Sequence, residues 1–372
     1  MKKWNKAYNM TNTETKHSVQ MAAIGREVSP IPTPAEALHT SKDFMLWGED
    51  NAFPEYLFDL YKTTTDLKTC VDGLSDFVAG DKVTMNVAQG YINADKLNRR
   101  DNAFETIQAL ARDAALYGGF AFQVLRNGLG KVTEIYHVDF RNLRSNKDND
   151  TFYYSEDWAN RFSRSRAVEY PTFMAKSPAI SSIVYVKLDD MATYPMPICM
   201  TALKACEIER RIDDFHLNGL ENGFSASYIV NFNNGVPTDE EKSEIERMFN
   251  AKFAGSANAG RIVFSWNEGK EHAATISKMD LQDFGERYNS LAKWSRQNIY
   301  AAFRANPNLF GISTENLGFS SEEYESAFKL FNRTRVRPIQ RRIVESIEKV
   351  LGAGAITIQP FSLSDEDETN VQ

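Results

Sequence analysis

Apolar and polar positions divide the chain into stretches of different period. Residues 1–45 show no sustained period and hold Pro30, Pro32 and Pro34 in close succession, so they read as an extended arm without a core of its own. Ordered sequence is expected near Trp47. Asp50-Asn-Ala-Phe-Pro54 leads into a helical stretch to Val78, ended by Gly80, and Val83–Val87 alternates as a strand does. Phe104, Ile107, Leu110 and Ala114 recur at helical spacing, predicting a helix over 101–117 that Gly118-Gly119 stops. Two strands follow, Phe120–Leu125 and Val132–Val138, joined by a turn at Asn127-Gly-Leu-Gly130. Residues 140–180 read as irregular and polar, and Ser182–Leu188 alternates again.

The second half is dominated by long helical patterns. Behind Pro195 and Pro197, a helix from about Ile198 places Ala205, Ile208, Ile212 and Phe215 in one narrow stripe on a charged cylinder, which suits packing between helices. A small unit comes next. Ser227–Phe232 reads as a strand, a capping box of Thr238 and Glu241 opens a helix to Phe253, and Arg261–Trp266 reads as a second strand. Another helix is expected over 281–304, about 36 Å long at 1.5 Å per residue. Leu281, Phe284, Tyr288 and Leu291 form its apolar seam. Asn306-Pro-Asn-Leu-Phe-Gly311 then precedes a polar segment to Phe319. Ser320 and Glu323 cap a third helix reaching about Leu351, with Pro338 expected to kink it. A short strand, Ala355–Gln359, precedes the acidic run Asp365–Glu368. The order of elements is α+β.

Composition narrows the function classes. With 372 residues and a 42% apolar share, the chain is long enough for two to three domains with real cores. A net charge of -7 means that any nucleic acid would be met by a local patch or a guided channel. Three cysteines are too few and too odd for a disulfide framework, and point to a reducing compartment. Cys199 and Cys206 read as packed thiols. Met1–Met10 has no apolar run behind its lysines, so no secretory leader is expected. No stretch approaches the ~20 apolar residues of a membrane span.

Chemistry-bearing patterns are sparse. None of the five histidines stands at a ligand spacing, and neither a G-x-S-x-G elbow nor a Cys/His pairing occurs. Gly255-Ser-Ala-Asn-Ala-Gly260 has the glycine spacing of a P-loop but lacks its lysine and its Ser/Thr. It also lies between a helix and a strand in the reverse order, so it reads as a turn. Asp189-Asp190 and Asp213-Asp214 read as solvated faces. No catalytic group, cofactor or metal is therefore expected. The basic run Lys329, Arg333, Arg335, Arg337, Arg341 and Arg342 contains no acid. It suits phosphate contact, with intersubunit ion pairing or a solvated face as alternatives.

In this order the elements resemble the portal proteins of tailed bacteriophages and prophages. The resemblance covers roughly residues 47–360. It rests on Trp47-Gly-Glu-Asp-Asn-Ala-Phe-Pro54, Leu116-Tyr-Gly-Gly-Phe-Ala-Phe122, Asn222-Gly223 followed by Ile229-Val230, Ala257-Asn-Ala-Gly260-Arg261, and Gln282-Asp-Phe with Glu286-Arg287 running on to Asn306–Gly311. It implies a portal fold divided into an arm (1–45), an α/β wing (46–196), a first stem helix (197–222), a strand-helix-strand clip (223–278), a second stem helix (279–305), a tunnel loop (306–320), a long kinked helix (321–351), and a strand with an acidic tail (352–372). About twenty residues follow Leu351, so a helical crown is expected to be reduced or absent.

The resemblance implies a ring, a dodecamer, at one capsid vertex of the virion, built in the host cytoplasm. Its partners would be the terminase large subunit, the major capsid protein, a tail connector or adaptor, and double-stranded DNA in the channel. Ile208, Ile212, Leu281, Phe284, Tyr288 and Leu291 would pack the stem. Glu244 and Glu246 would dock a partner on the clip, while the acids over 239–241 compensate the helix dipole. Ser313, Thr314, Glu315, Asn316, Leu317 and Gly318 would form the tunnel loop, with a plain interhelix linker as the alternative. Two rival classes stay open on the sequence: a metal-dependent nuclease and a non-portal head structural protein.

Overall fold

The computed structural model describes residues 36–39, 43–48, 50–86, 96–176, 179–221, 229–232, 237–253, 263–266, 282–312 and 321–362. A hairpin comes first, with β1 (Glu36–Leu38) antiparallel to β2 (Met45–Trp47). Its first strand and the start of its second lie inside the stretch expected to be a core-less arm. Phe44 is nevertheless fully buried against Tyr153 and Trp158, so the chain joins the core before Trp47. Strands of three residues are too short to show a period.

α1 (Phe53–Thr63) carries Pro54 in its first turn, where a missing N–H removes no helical bond. α2 (Thr65–Ala79) ends at Gly80, and β3 (Lys82–Met85) follows. α3 (Ala103–Tyr117) opens on a reciprocal capping box, Asn102 accepting from the Glu105 N–H and Glu105 from the Asn102 N–H. Such a cap stabilises a helix by about 1 kcal/mol. The helix closes at Gly118, in the left-handed region at φ 76°, where a Cβ would lie 2.1 Å from the Met196 carbonyl oxygen. Only glycine serves there.

The chain continues through β4 (Gly119–Arg126), β5 (Val132–Val138), β6 (Leu143–Ser145), β7 (Thr151–Tyr154), α4 (Arg161–Ser165), β8 (Val168–Pro171) and β9 (Ser181–Lys187). Two antiparallel sheets result, ordered β5-β4-β9 and β6-β7-β8. The first matches the expected strands, with β4 at its centre. The second occupies the stretch read as irregular. Its strands are three or four residues long and hold three tyrosines, so no alternation stands out.

A 3-10 turn at Ile198–Ala202 leads into α5 (Leu203–Glu221). Then β10 (Ile229–Phe232), α6 (Asp239–Phe253) and β11 (Val263–Trp266) form a strand-helix-strand unit whose strands are parallel. α7 (Gln282–Phe303) is about 33 Å long. α8 (Ser321–Phe331) passes through a π turn at Asn332–Val336 into α9 (Arg337–Leu351), and β12 (Ile356–Gln359) returns to pair antiparallel with β3. The irregularity expected at Pro338 thus lies one turn earlier. The Arg337 N–H reaches back to the Asn332 carbonyl, and the proline sits in the first turn of α9. The wider turn takes up the clash that a proline ring makes with the preceding turn.

Candidate channel and assembly surfaces

The long helices α5 and α7 pack on one another. Ala205 and Ile212 are buried and Ile208 is half-buried. The Ser295 hydroxyl donates to the Ala205 carbonyl, and Phe215 stacks on Tyr288 with centroids 4.5 Å apart. The structure therefore brings Ile212 and Tyr288 into one helix pair. Leu291 is 41% exposed, and Trp294 at 46%, Phe215 at 41% and Leu217 at 58% are exposed as well. Leu281 lies outside the described residues, as does the side chain of Phe284 on α7.

Charged groups tie this pair to α2. Arg296 on α7 is 3.1 Å from Asp66, and Glu209 on α5 accepts a hydrogen bond from the Asp66 N–H at 3.1 Å in the first turn of α2. Burial pushes the Glu209 carboxyl up to about 7, with the Asp66 and Asp213 charges adding to the effect of burial. Its N–H partners at Asp66 and Thr65 work in the other direction.

The region around the expected tunnel loop is anchored by aromatic rings. Phe310 closes a 3-10 turn and its ring meets those of Phe77, Tyr300 and Phe331 with centroids 5.9–6.1 Å apart. Gly73 makes room for it, since a Cβ there would lie 2.3 Å from the Phe310 ring. Ser313, Thr314, Glu315, Asn316, Leu317 and Gly318 lie outside the described residues, as does the turn over 255–260.

The basic run does not act as one group. Arg335 is half-buried and donates to the carbonyls of Ala302 and Phe303 at 2.8 and 3.2 Å, capping the end of α7. Burial and the neighbouring Arg304 hold its guanidinium below the usual range. Lys329 pairs with Glu325 at 3.1 Å, one helical turn away. Arg333, Arg337, Arg341 and Arg342 are exposed. With Lys329, the first two line a groove of about 720 Å³ that also takes in Phe328 and Phe361.

On α6 the first-turn acids are used locally. Glu241 accepts from the Thr238 N–H, and Asp239 pairs with Lys242 at 2.9 Å. Glu244 is exposed, and the side chain of Glu246 lies outside the described residues.

Sequence reasoning missed Arg144. It is fully buried, and its guanidinium donates to Asn51 Oδ1 (2.5 Å), the Asn51 carbonyl (2.8 Å), and the carbonyls of Arg141 (2.7 Å) and Leu143 (2.9 Å). Burial lowers its pKa to about 10. Asn51 holds a positive φ of 65° and also accepts from the Trp47 N–H, and Trp47 stacks on Tyr194 at 4.4 Å. The Trp47–Asn51 segment is thus bound to the sheets through one cation. Half-buried His137 and buried Asp113 form a further polar pair at 2.8 Å. Burial opposes the imidazolium, but the carboxylate outweighs it and raises the His137 pKa.

Cys70, Cys199 and Cys206 are free and buried, and burial raises each thiol above its ordinary range, Cys199 to about 12. Among the described residues, no group of three or more His, Cys, Asp or Glu is placed to hold a metal ion. No described helix is long and apolar enough to cross a membrane.

Paired long helices with a small strand-helix-strand unit between them in sequence, beside short antiparallel sheets, define a mixed helix-and-strand fold. The model of the phage portal protein family matches residues 90–365, and the chain belongs to that family, which is structural rather than catalytic. No curated protein matches the chain by sequence. Among solved structures, a chain in the neck of a native gene transfer agent particle, computed with C12 symmetry, is 17% identical over 84% of this chain and 85% of that one, with a TM-score of 0.53. A chain of the native gene transfer agent virion is 18% identical over 84% of each, with a TM-score of 0.51. These two share the fold. A portal protein of the HK97 family from Corynebacterium diphtheriae is 11% identical over 85% of this chain and 98% of that one, with a TM-score of 0.49.

Proposed function

We propose that copies of this portal protein close into a ring at one capsid vertex and conduct double-stranded DNA along the axis. The observation that carries this reading is apolar surface left over on a helix pair already packed. Leu217, Leu291 and Trp294 remain exposed on α5 and α7. Each such side chain is already about half covered, so covering the rest gains roughly 0.7–1.5 kcal/mol, and a ring supplies a neighbour to every copy. In this reading α5 and α7 are the stem, β10, α6 and β11 the clip, and residues 46–196 the wing facing the major capsid protein. The C12 symmetry of the related neck favours a dodecamer. The clip would dock the terminase large subunit during packaging and the tail connector afterwards. The exposed Arg333, Arg337, Arg341 and Arg342 are the phosphate-facing members of the basic run, and Arg335 serves the fold.

Leu291→Asp tests the assembly step. The side chain is already 41% exposed in one chain, so its fold should stand, with unchanged circular dichroism. Covering the new charge at a subunit interface would cost several kcal/mol. Sedimentation should show the ring lost in favour of smaller species. Unchanged rings would place Leu291 outside the interface.

A further inference from the structure

The groove beside Lys329, Arg333 and Arg337 lies where the described chain ends its return from β12. Gln359, Pro360, Phe361 and Ser362 form one of its walls. Phe361 is pinned edge-on to Phe77 with centroids 4.9 Å apart and also meets Phe328 at 6.3 Å. The Ser362 N–H donates to the Asp81 carboxylate at 2.9 Å. The end of the described chain is therefore fixed at the groove. Three residues later begins Asp365-Glu366-Asp367-Glu368.

We infer that this acidic run docks in the basic groove of its own chain, against Lys329, Arg333 and Arg337. Reach, charge and shape agree. Three residues span at most about 10 Å, so Asp365 comes to the groove without strain, and six bring Glu368 up to about 20 Å from Ser362. Lys329 to Arg337 covers about 12 Å along the helix. Four carboxylates meet three cations whose local competition is weak. Lys329 is held by Glu325 in a pair whose side chains are 74% and 54% exposed, and exposed pairs of this kind are easily exchanged. Among the described residues no salt bridge reaches Arg333 or Arg337. Arginine forks also bind carboxylates in bidentate fashion. The Phe328 and Phe361 rings give the groove an apolar side that excludes part of the water. Docked there, the acids occupy the place a phosphate backbone would take. That consequence, unlike the docking itself, rests on the proposal that these arginines face DNA.

Carbodiimide coupling of the full chain, read by mass spectrometry on a mixture of isotope-labelled and unlabelled copies, tests the docking. Lys329–Glu325 coupling is the internal control for reactivity. Coupling of Lys329 to residues 365–368 within one copy is the expected result. Lys329–Glu325 coupling alone overturns the inference, and coupling between differently labelled copies overturns the same-chain assignment. The masking is tested separately by neutralising the run (D365N, E366Q, D367N and E368Q together) and measuring affinity for a short DNA duplex at low salt. Roughly tenfold tighter binding is expected, with a steeper salt dependence, and R333E with R337E in the same background should abolish the gain. Same-chain coupling with unchanged affinity would keep the docking and remove these arginines from the DNA path. A gain that survives R333E with R337E would assign it to another surface.

Discussion

Arg144 is held inside the fold by neutral oxygens. Four hydrogen bonds to Asn51, Arg141 and Leu143 use the planar fork of the guanidinium, and Trp158 lies over it at 4.9 Å. A lysine cannot reach these acceptors together. Arg144→Lys should therefore lower unfolding stability by about 2–3 kcal/mol, measured by urea denaturation. A loss within error would mean that solvent reaches the site. In the sequence this arginine stands among polar residues and looks like an ordinary surface charge, whereas its partner segment from Trp47 to Asn51 is conspicuous. Only the pairing of residues 93 positions apart reveals the cation's role.

Glu209 makes the second residue-scale prediction. Its carboxyl is raised from near 4.5 to about 7 by burial, so the folded chain holds a proton that the unfolded chain has released. This favours the fold fully below about pH 4.5 and is lost as pH rises through about 7. Glu209→Gln keeps an oxygen for the Asp66 N–H and removes the titration. The wild type should lose melting temperature relative to that variant between pH 5 and 8. Parallel pH profiles would show that the carboxylate is already solvated.

At the scale of elements, the helices were legible and the short strands were not. α3 and α5 announce themselves through apolar residues three and four apart, and α6 through the Thr238–Glu241 cap. β6, β7 and β8 give too few residues to establish a period. The π turn before Pro338 escaped for another reason: proline marks that a helix is disturbed, while the surrounding hydrogen bonds decide where. The six basic residues likewise looked equivalent until α7 ended beside Arg335 and took it as a cap. On α6 the acids divide in the same way. Asp239 and Glu241 have local partners, and Glu244 is exposed. Reversing charge at Glu244 and Glu246 should weaken binding of the packaging motor, in pull-down with purified terminase large subunit, while rings persist. Normal motor binding would move the docking surface elsewhere.

For the whole molecule, the family was readable from the order of elements even though no one motif is specific. The chain closes on itself where β12 meets β3, joining residues more than 270 positions apart. Glu209 on α5 and Arg296 on α7 both meet Asp66 in the first turn of α2. What one chain leaves unfinished is the apolar surface of α5 and α7, and the central claim is that further copies of the same chain complete it. Electron microscopy of the purified full chain tests this most directly. Closed rings with an axial opening are expected, with twelve copies favoured. A uniform population of monomers or dimers at concentrations well above the micromolar range would contradict it.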